Sequence, residues 1–262
     1  MLSLNIFIAS LVTPTVFAWG DVGHRTVGYL AQHYLTPDAS QWVDSLLANE
    51  DGFDISDAAV WPDQIKRRRE YTAGWHYLDT SQDPMVQTEA LMYLIHFIGD
   101  IHQPLHVENV DRGGNEIHVC FDHRCAKAEN LHSIWDTDIV HKINGLKHYE
   151  KHNEEREAAQ KWADSLFAEG QRSLRKECDD INNAERCAME WAKETNAYVC
   201  SYVLANGIDW LESNDLGGEY YEGAAPIVES QIAKAGARLG AWLNALAVTS
   251  SSSSGLVIQE EL

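Results

Sequence analysis

The chain has 262 residues, with 20 Lys and Arg against 40 Asp and Glu, for a formal charge of −20. That balance excludes a broad basic surface as the means of holding nucleic acid. Any phosphate chemistry therefore needs a local source of positive charge, and bound divalent metal supplies one.

In chain order, Met1 to Ala18 comes first, an apolar stretch with no charged side chain that ends Val16-Phe17-Ala18. It reads as a secretory signal peptide cut after Ala18, although it lacks the usual basic start. A short buried N-terminal helix is the other reading. Cleavage there makes Trp19 the mature N-terminus and the protein a secreted one. It is too short for a comfortable membrane span, and nothing later reaches the ~20 apolar residues that a span needs. Residues 19–248 have no linker to divide them and are expected to form one domain. Thr36-Pro37 puts a cap residue and a first-turn proline ahead of a helix from Asp38 to Ala48. Helical periodicity returns over Thr88 to Gln103, stopped by Pro104, and over Asn130 to Ile143, Glu154 to Ser173, Ala184 to Ala205 and Ala224 to Ala247. One β signal stands between them: Leu105 to Glu108, a turn at Asp111-Arg112-Gly113-Gly114, then Ile117 to Phe121. Thr249 to Leu262 opens with a serine run, has no periodicity and is expected to be a disordered tail. The fold class is thus mainly α, a helical bundle with one small β-hairpin.

The five cysteines, Cys120, Cys125, Cys178, Cys187 and Cys200, form no CxxC knuckle. In a secreted chain they are expected to make disulfides with one thiol left over. Cys120 and Cys125 can close a small loop, and the pairing is otherwise open. There is no N-x-Ser/Thr sequon, so N-glycosylation is not expected.

The 12 histidines keep informative company. His96 and Asp100 stand at i and i+4 among Leu94, Ile95, Phe97 and Ile98. His132 and Asp136 repeat that spacing among Leu131, Ile134 and Trp135. A buried carboxylate is costly unless paired or bound to metal. One such pair is explained by a structural hydrogen bond. Two on core-facing helices point to metal, since bundle sites are built from His and carboxylate at helical spacing. Asp63, His76 and His106 are further candidates at element ends, each taken singly more often a cap, a turn residue or a core histidine, and His24 lies five residues after Trp19. A free amine and carbonyl on Trp19 can chelate a metal through a five-membered ring. Imidazole and carboxylate without thiolate suit catalytic zinc.

Six segments belong together: Trp19-Gly20-x-x-Gly23-His24, Trp61-Pro62-Asp63, Trp75-His76-Tyr77-x-Asp79, the block from His96 to His106, Gly113-Gly114-Asn115 and Leu131-His132-x-x-Trp135-Asp136. In order and spacing they resemble the secreted trinuclear-zinc single-strand nucleases of the S1/P1 type, over essentially the whole chain from Trp19 to about Ala247. The resemblance implies a fold related to zinc-dependent phospholipase C and three Zn2+ per chain. One zinc falls to Asp63, His76, His96 and Asp100. A second falls to the Trp19 amine and carbonyl, His24 and Asp100, and the third to His106, His132 and Asp136. His102 matches no ligand position, and Pro104 breaks the helical face that would align it with His106.

The implied reaction is hydrolysis of single-stranded DNA and RNA to 5′-phosphate products by a monomer that needs no membrane, with 3′-mononucleotides as further substrates. Lys66 stands where the family places a cation near phosphate, or is one more surface cation in Lys66-Arg67-Arg68-Arg69. Asp79 orients water or a base, or is a turn carboxylate. Tyr77 stacks on a base, or packs in the core. Two rival readings are a phospholipase C-like phosphodiesterase and an extracellular zinc-sequestering protein without turnover.

Overall fold

The computed structural model describes residues 19–50, 52–65, 84–126, 129–148, 152–170, 178 and 180–257. Four helices precede the metal-type motifs or carry them: α1 (Asp21–Tyr34), α2 (Pro37–Leu47), α3 (Ile55–Ile65) and α4 (Pro84–Asp100). A rod over 131–143 forms α5. It begins α-helical at Leu131–Ser133, widens to a π turn at Ile134–Asp138 and closes as α-helix at Ile139–Ile143. Then come α6 (His152–Gly170), α7 (Ala184–Tyr198, with a π turn over Val199–Val203), α8 (Ile208–Ser213) and α9 (Glu219–Val257). The mainly α architecture expected from periodicity is what forms.

The first helix builds the centre. α1 buries every residue from Val22 to Ala31 because α9, α6 and α3 all pack on it. Its polar residues His24, Arg25 and Thr26 are buried with the apolar ones. α3 is alike, with Ile55, Ser56 and Ala58 to Pro62 buried. One continuous apolar cluster runs from Trp19 to Leu243 on α9. Buried ions pin α1 to α3 and α6. Arg25 donates to Ser56 Oγ at 3.0 Å and Asp57 Oδ1 at 2.9 Å, and Arg156 of α6 reaches Asp57 Oδ1 at 2.7 Å. The α2 start is as expected, with Thr36 Oγ1 accepting from the Ala39 N–H at 3.2 Å ahead of Pro37.

The expected β-hairpin does not form. Leu105 lies in a single 3₁₀ turn, Pro104–His106, because Pro104 supplies no N–H to a ladder and the Gln103 side chain accepts from the Leu105 N–H. Ile117 to Phe121 pairs instead with 129–131, through a His118–Asn130 bridge and a Leu131 N–H to Ile117 carbonyl bond of 2.9 Å. The last helix also runs through the serine stretch to Val257, where an aperiodic tail was expected from residue 249. Residues 1–18, read as the signal peptide, and 258–262 lie outside the described residues. Disulfides join Cys120 to Cys125 and Cys178 to Cys187, leaving an exposed Cys200 thiol. No described helix is long and apolar enough to cross a membrane.

Candidate metal centre

Two buried clusters of histidine and carboxylate stand at the heart of this bundle. The first joins His24 of α1 to His96 and Asp100 of α4. His24 Nε2 is 3.3 Å from Asp100 Oδ1, and His96 Nε2 is 3.5 Å from Asp100 Oδ2. One carboxylate thus offers a different oxygen to each imidazole. Asp63, at the end of α3, lies 3.9 Å from His96 Nε2. The two rings stack 4.1 Å apart, an approach that needs Gly99: a Cβ there would stand 2.8 Å from His24 Nδ1.

The second cluster joins His106, just past the Pro104 turn, to His132 and Asp136 of α5. His132 Nε2 lies 3.2 Å from Asp136 Oδ2, and His106 Nε2 lies 3.7 Å from Asp136 Oδ1. The π turn that holds Asp136 is of a kind often found at functional sites.

These separations have a simple source. Zinc binds imidazole nitrogen and carboxylate oxygen at ~2.0–2.2 Å, so neighbouring corners of its tetrahedron stand roughly 3.3–3.5 Å apart. A direct hydrogen bond is generally shorter, about 2.7–3.2 Å. Four of the five separations, 3.3–3.9 Å, exceed a direct hydrogen bond, and the fifth, His132 to Asp136 at 3.2 Å, falls at the end of its range. Their orientation agrees. His96 Nδ1 bonds the Ala59 carbonyl at 2.8 Å and His132 Nδ1 bonds the Gly113 carbonyl at 2.6 Å. A carbonyl only accepts, so each Nδ1 carries the proton and each Nε2 keeps its lone pair for a metal. Burial pushes the His96 imidazole below its usual range, which favours the neutral form a metal needs. Pro62 lies within α3, three residues after Ala59. Gly113 sits at φ +65°, where a Cβ would strike the Leu105 carbonyl at 2.6 Å.

Gln103 braces the second cluster; it belongs to the His96 to His106 block, which had given it no role. Its Nε2 donates to Asp136 Oδ1 at 2.6 Å while its Oε1 accepts from the Leu105 N–H at 2.5 Å. The Gly20 N–H donates to the Asp136 carbonyl at 2.8 Å, tying the turn after the buried Trp19 to the second cluster. His102 turns to α9: its Nδ1 donates to the Ile98 carbonyl at 2.6 Å and its Nε2 accepts from Arg238 at 2.7 Å. Burial, with the Arg238 charge, pushes it down to about 3.

Of the candidates named from sequence, the structure brings together His24, Asp63, His96 and Asp100 in one place and His106, His132 and Asp136 in another. Lys66, His76, Tyr77 and Asp79 lie outside the described residues.

A family model described as S1/P1 Nuclease matches residues 19–87 and 80–248. The chain belongs to the S1/P1 nuclease family. It is similar to Nuclease S1 of Aspergillus oryzae, 32% identical over 93% of this chain and 97% of the relative. It is also similar to Nuclease P1 of Penicillium citrinum, 31% identical over 86% of this chain and 97% of the relative. Endonuclease 2 of Arabidopsis thaliana is 28% identical over 88% and 91%. As a member of the S1/P1 nuclease family the chain is a nuclease. Neither the phospholipase nor the zinc-sequestering reading is favoured. The family's zinc dependence has candidate seats in the two buried clusters.

Proposed function

We propose that this S1/P1 nuclease is a secreted zinc endonuclease that hydrolyses single-stranded DNA and RNA to 5′-phosphate ends, and also accepts 3′-mononucleotides. The observation that carries the reading is the pair of buried clusters whose donor atoms stand 3.2–3.9 Å apart on oriented imidazoles. Asp63, His76, His96 and Asp100 would hold one zinc, and Trp19, His24 and Asp100 a second. His106, His132 and Asp136 would hold a third. Trp19 takes part through an amine freed by cleavage after Ala18. An internal peptide nitrogen has no lone pair to give, because it is delocalised into the carbonyl. When bound, the three ions would activate water at neutral pH and neutralise charge on the phosphate and the leaving oxygen.

The chain's own groups do the rest. Asp100 divides its two oxygens between His24 and His96, the arrangement a shared ligand requires. Gln103 donates to Asp136 Oδ1 and so orients that carboxylate. Lys66 adds a cation beside the phosphate, Asp79 orients water or a base, and Tyr77 stacks on an unpaired base for ~1–3 kcal/mol. Duplex bases are already stacked, which accounts for a single-strand preference. The protein acts as a monomer.

The test is metal analysis of mature protein together with end-group analysis of a cleaved single-stranded oligonucleotide. Three zinc ions per chain, 5′-phosphate ends and loss of cleavage in chelator are expected. One tightly bound ion or none, or products ending in 3′-phosphate, would overturn the proposal.

A further inference from the structure

Asp100 of the first cluster and His106 of the second lie on one short stretch of chain, so whatever fixes that stretch fixes the clusters relative to each other. α4 ends at Asp100, and Pro104 to His106 form only a single 3₁₀ turn. Further support comes from behind, from α7 and α9. Arg238 of α9 donates to His102 Nε2 at 2.7 Å, and Gln231, on the same face of α9, donates to the His102 carbonyl at 3.1 Å. Gln231 also donates to Thr195 Oγ1 of α7 at 2.8 Å. Past His106, the Asn196 amide of α7 donates to the Val107 carbonyl at 2.8 Å.

Arg238 is itself firmly seated. Its guanidinium is buried, lies over the Trp191 ring at 5.4 Å and donates to Glu194 Oε2 at 2.5 Å. Glu194 also takes Lys234. A buried cation is costly to desolvate, and apolar residues of the same volume often hold a core as well or better. Packing alone therefore does not account for an arginine here. An arginine only donates, so His102 must present a lone pair at Nε2, and its Nδ1 proton goes to the Ile98 carbonyl at 2.6 Å. Both ring nitrogens and the carbonyl of His102 are thus committed. The next residue, Gln103, orients the Asp136 carboxylate of the second cluster.

We propose, on the reading that ions at both clusters act on one phosphate, that Arg238 and Gln231 are positioning residues for the reaction. Through His102 they set the His106 cluster relative to the Asp100 cluster. Attack and departure in line on one phosphate need a fixed geometry between the clusters. A small displacement of the stretch from Asp100 to His106 therefore costs turnover before it costs zinc or substrate binding.

The experiment compares mature, zinc-loaded wild type with Arg238→Met, Gln231→Leu and His102→Phe on a single-stranded oligonucleotide, well below every thermal midpoint. Arg238→Met should keep the zinc content and KM of wild type and lose ~10–100-fold in kcat, the scale of a misplacement of about 1 Å. Gln231→Leu leaves the pair of Arg238 with Glu194 in place and should lose kcat in the same sense, by less. Because Arg238 acts through His102, the double variant of Arg238→Met with His102→Phe should be no slower than the slower single variant. A mere loss of stability would not produce that coupling in kcat. Unchanged kcat in Arg238→Met and Gln231→Leu, a fall accounted for by lost zinc, or losses that multiply in the double variant would overturn the proposal. Should Arg238→Met fail to fold, Gln231→Leu decides alone, and unchanged kcat there would overturn it. A wrong zinc count or wrong product ends in wild type would break the functional reading, whereas only the comparison of variants with wild type bears on positioning, so the two failures are distinct.

Discussion

Asp136 and Asp138 stand two residues apart on one π turn, both buried, and they serve different purposes. Asp136 faces two imidazoles at 3.2 and 3.7 Å and takes an amide hydrogen bond from Gln103. Asp138 takes an Arg124 guanidinium N–H at 2.6 Å and a His148 ring nitrogen at 2.5 Å. Burial, with the Asp138 charge, pushes the neighbouring Glu129 carboxyl up. Both sites hold histidine and carboxylate, so composition does not distinguish them. What does is that an arginine has entered the Asp138 group, where Arg124 bonds both carboxylates, whereas Asp136 takes the neutral amide of Gln103 beside its two imidazoles.

That contrast can be broken directly. Asp136→Asn removes a charged donor from between two imidazoles, and turnover should fall by at least ~10²-fold, beyond the range of outer partners, with zinc lost from the protein. Asp138→Asn should leave zinc content and turnover near wild type and instead cost about 3 kcal/mol of stability, as a disrupted buried ion pair does. Side-by-side metal analysis, kinetics and denaturant unfolding make the comparison. Zinc loss from Asp138→Asn, or none from Asp136→Asn, would show that the arginine does not separate the two kinds of site.

Gln103→Leu sharpens the same point at the outer shell. It keeps volume while removing the hydrogen bond to Asp136 Oδ1. A fall of ~10–100-fold in metal affinity or turnover is expected, the usual effect of losing an outer-shell partner. The check is a chelator competition series, and Gln103→Glu should not recover the affinity, because an ionised carboxylate has no N–H to donate to Asp136. Unaltered affinity and turnover in Gln103→Leu would remove Gln103 from the positioning of Asp136.

The smallest expected effect concerns the other arginine-filled group. Burial works against the Asp57 carboxylate, but Arg156 and Arg25 outweigh it and hold the carboxyl at about 2, from an ordinary 3.8. A carboxyl depressed in the folded state contributes stability that is present above its unfolded value and lost as pH falls through its folded one. Unfolding free energy should therefore decline between pH 4 and pH 2, less steeply in Asp57→Asn than in wild type. Parallel denaturant titrations across that window test it, and identical acid limbs would rule out the contribution.

Much of the candidate site is legible in the amino-acid sequence because its parts are local. His96 with Asp100, and His132 with Asp136, are one helical step apart, so a spacing of four residues already places them on one face. The Thr36-Pro37 start and the stop at Pro104 are local in the same way. α1 and α3 carry no such mark, for the opposite reason. Both bury polar side chains (His24, Arg25 and Thr26 on α1, Ser56 on α3) beside apolar ones, so the order of polar and apolar residues does not show which faces are covered. The β signal misleads because Ile117 to Phe121 has strand character whichever segment pairs with it, and the partner is 129–131.

The sequence by itself thus determined the helical class and the inventory of histidines and carboxylates, since periodicity and i, i+4 spacing are properties of a single element. Only the tertiary structure decided which of those groups meet. It brought His24 of α1 to Asp100 of α4, set Gln103 on Asp136, and put Arg124 on Asp138 instead of leaving that carboxylate for a metal. Each of these contacts joins residues on different segments, up to 76 positions apart for His24 and Asp100. They depend on how covered faces fit together, a complementarity that no local pattern in one segment encodes.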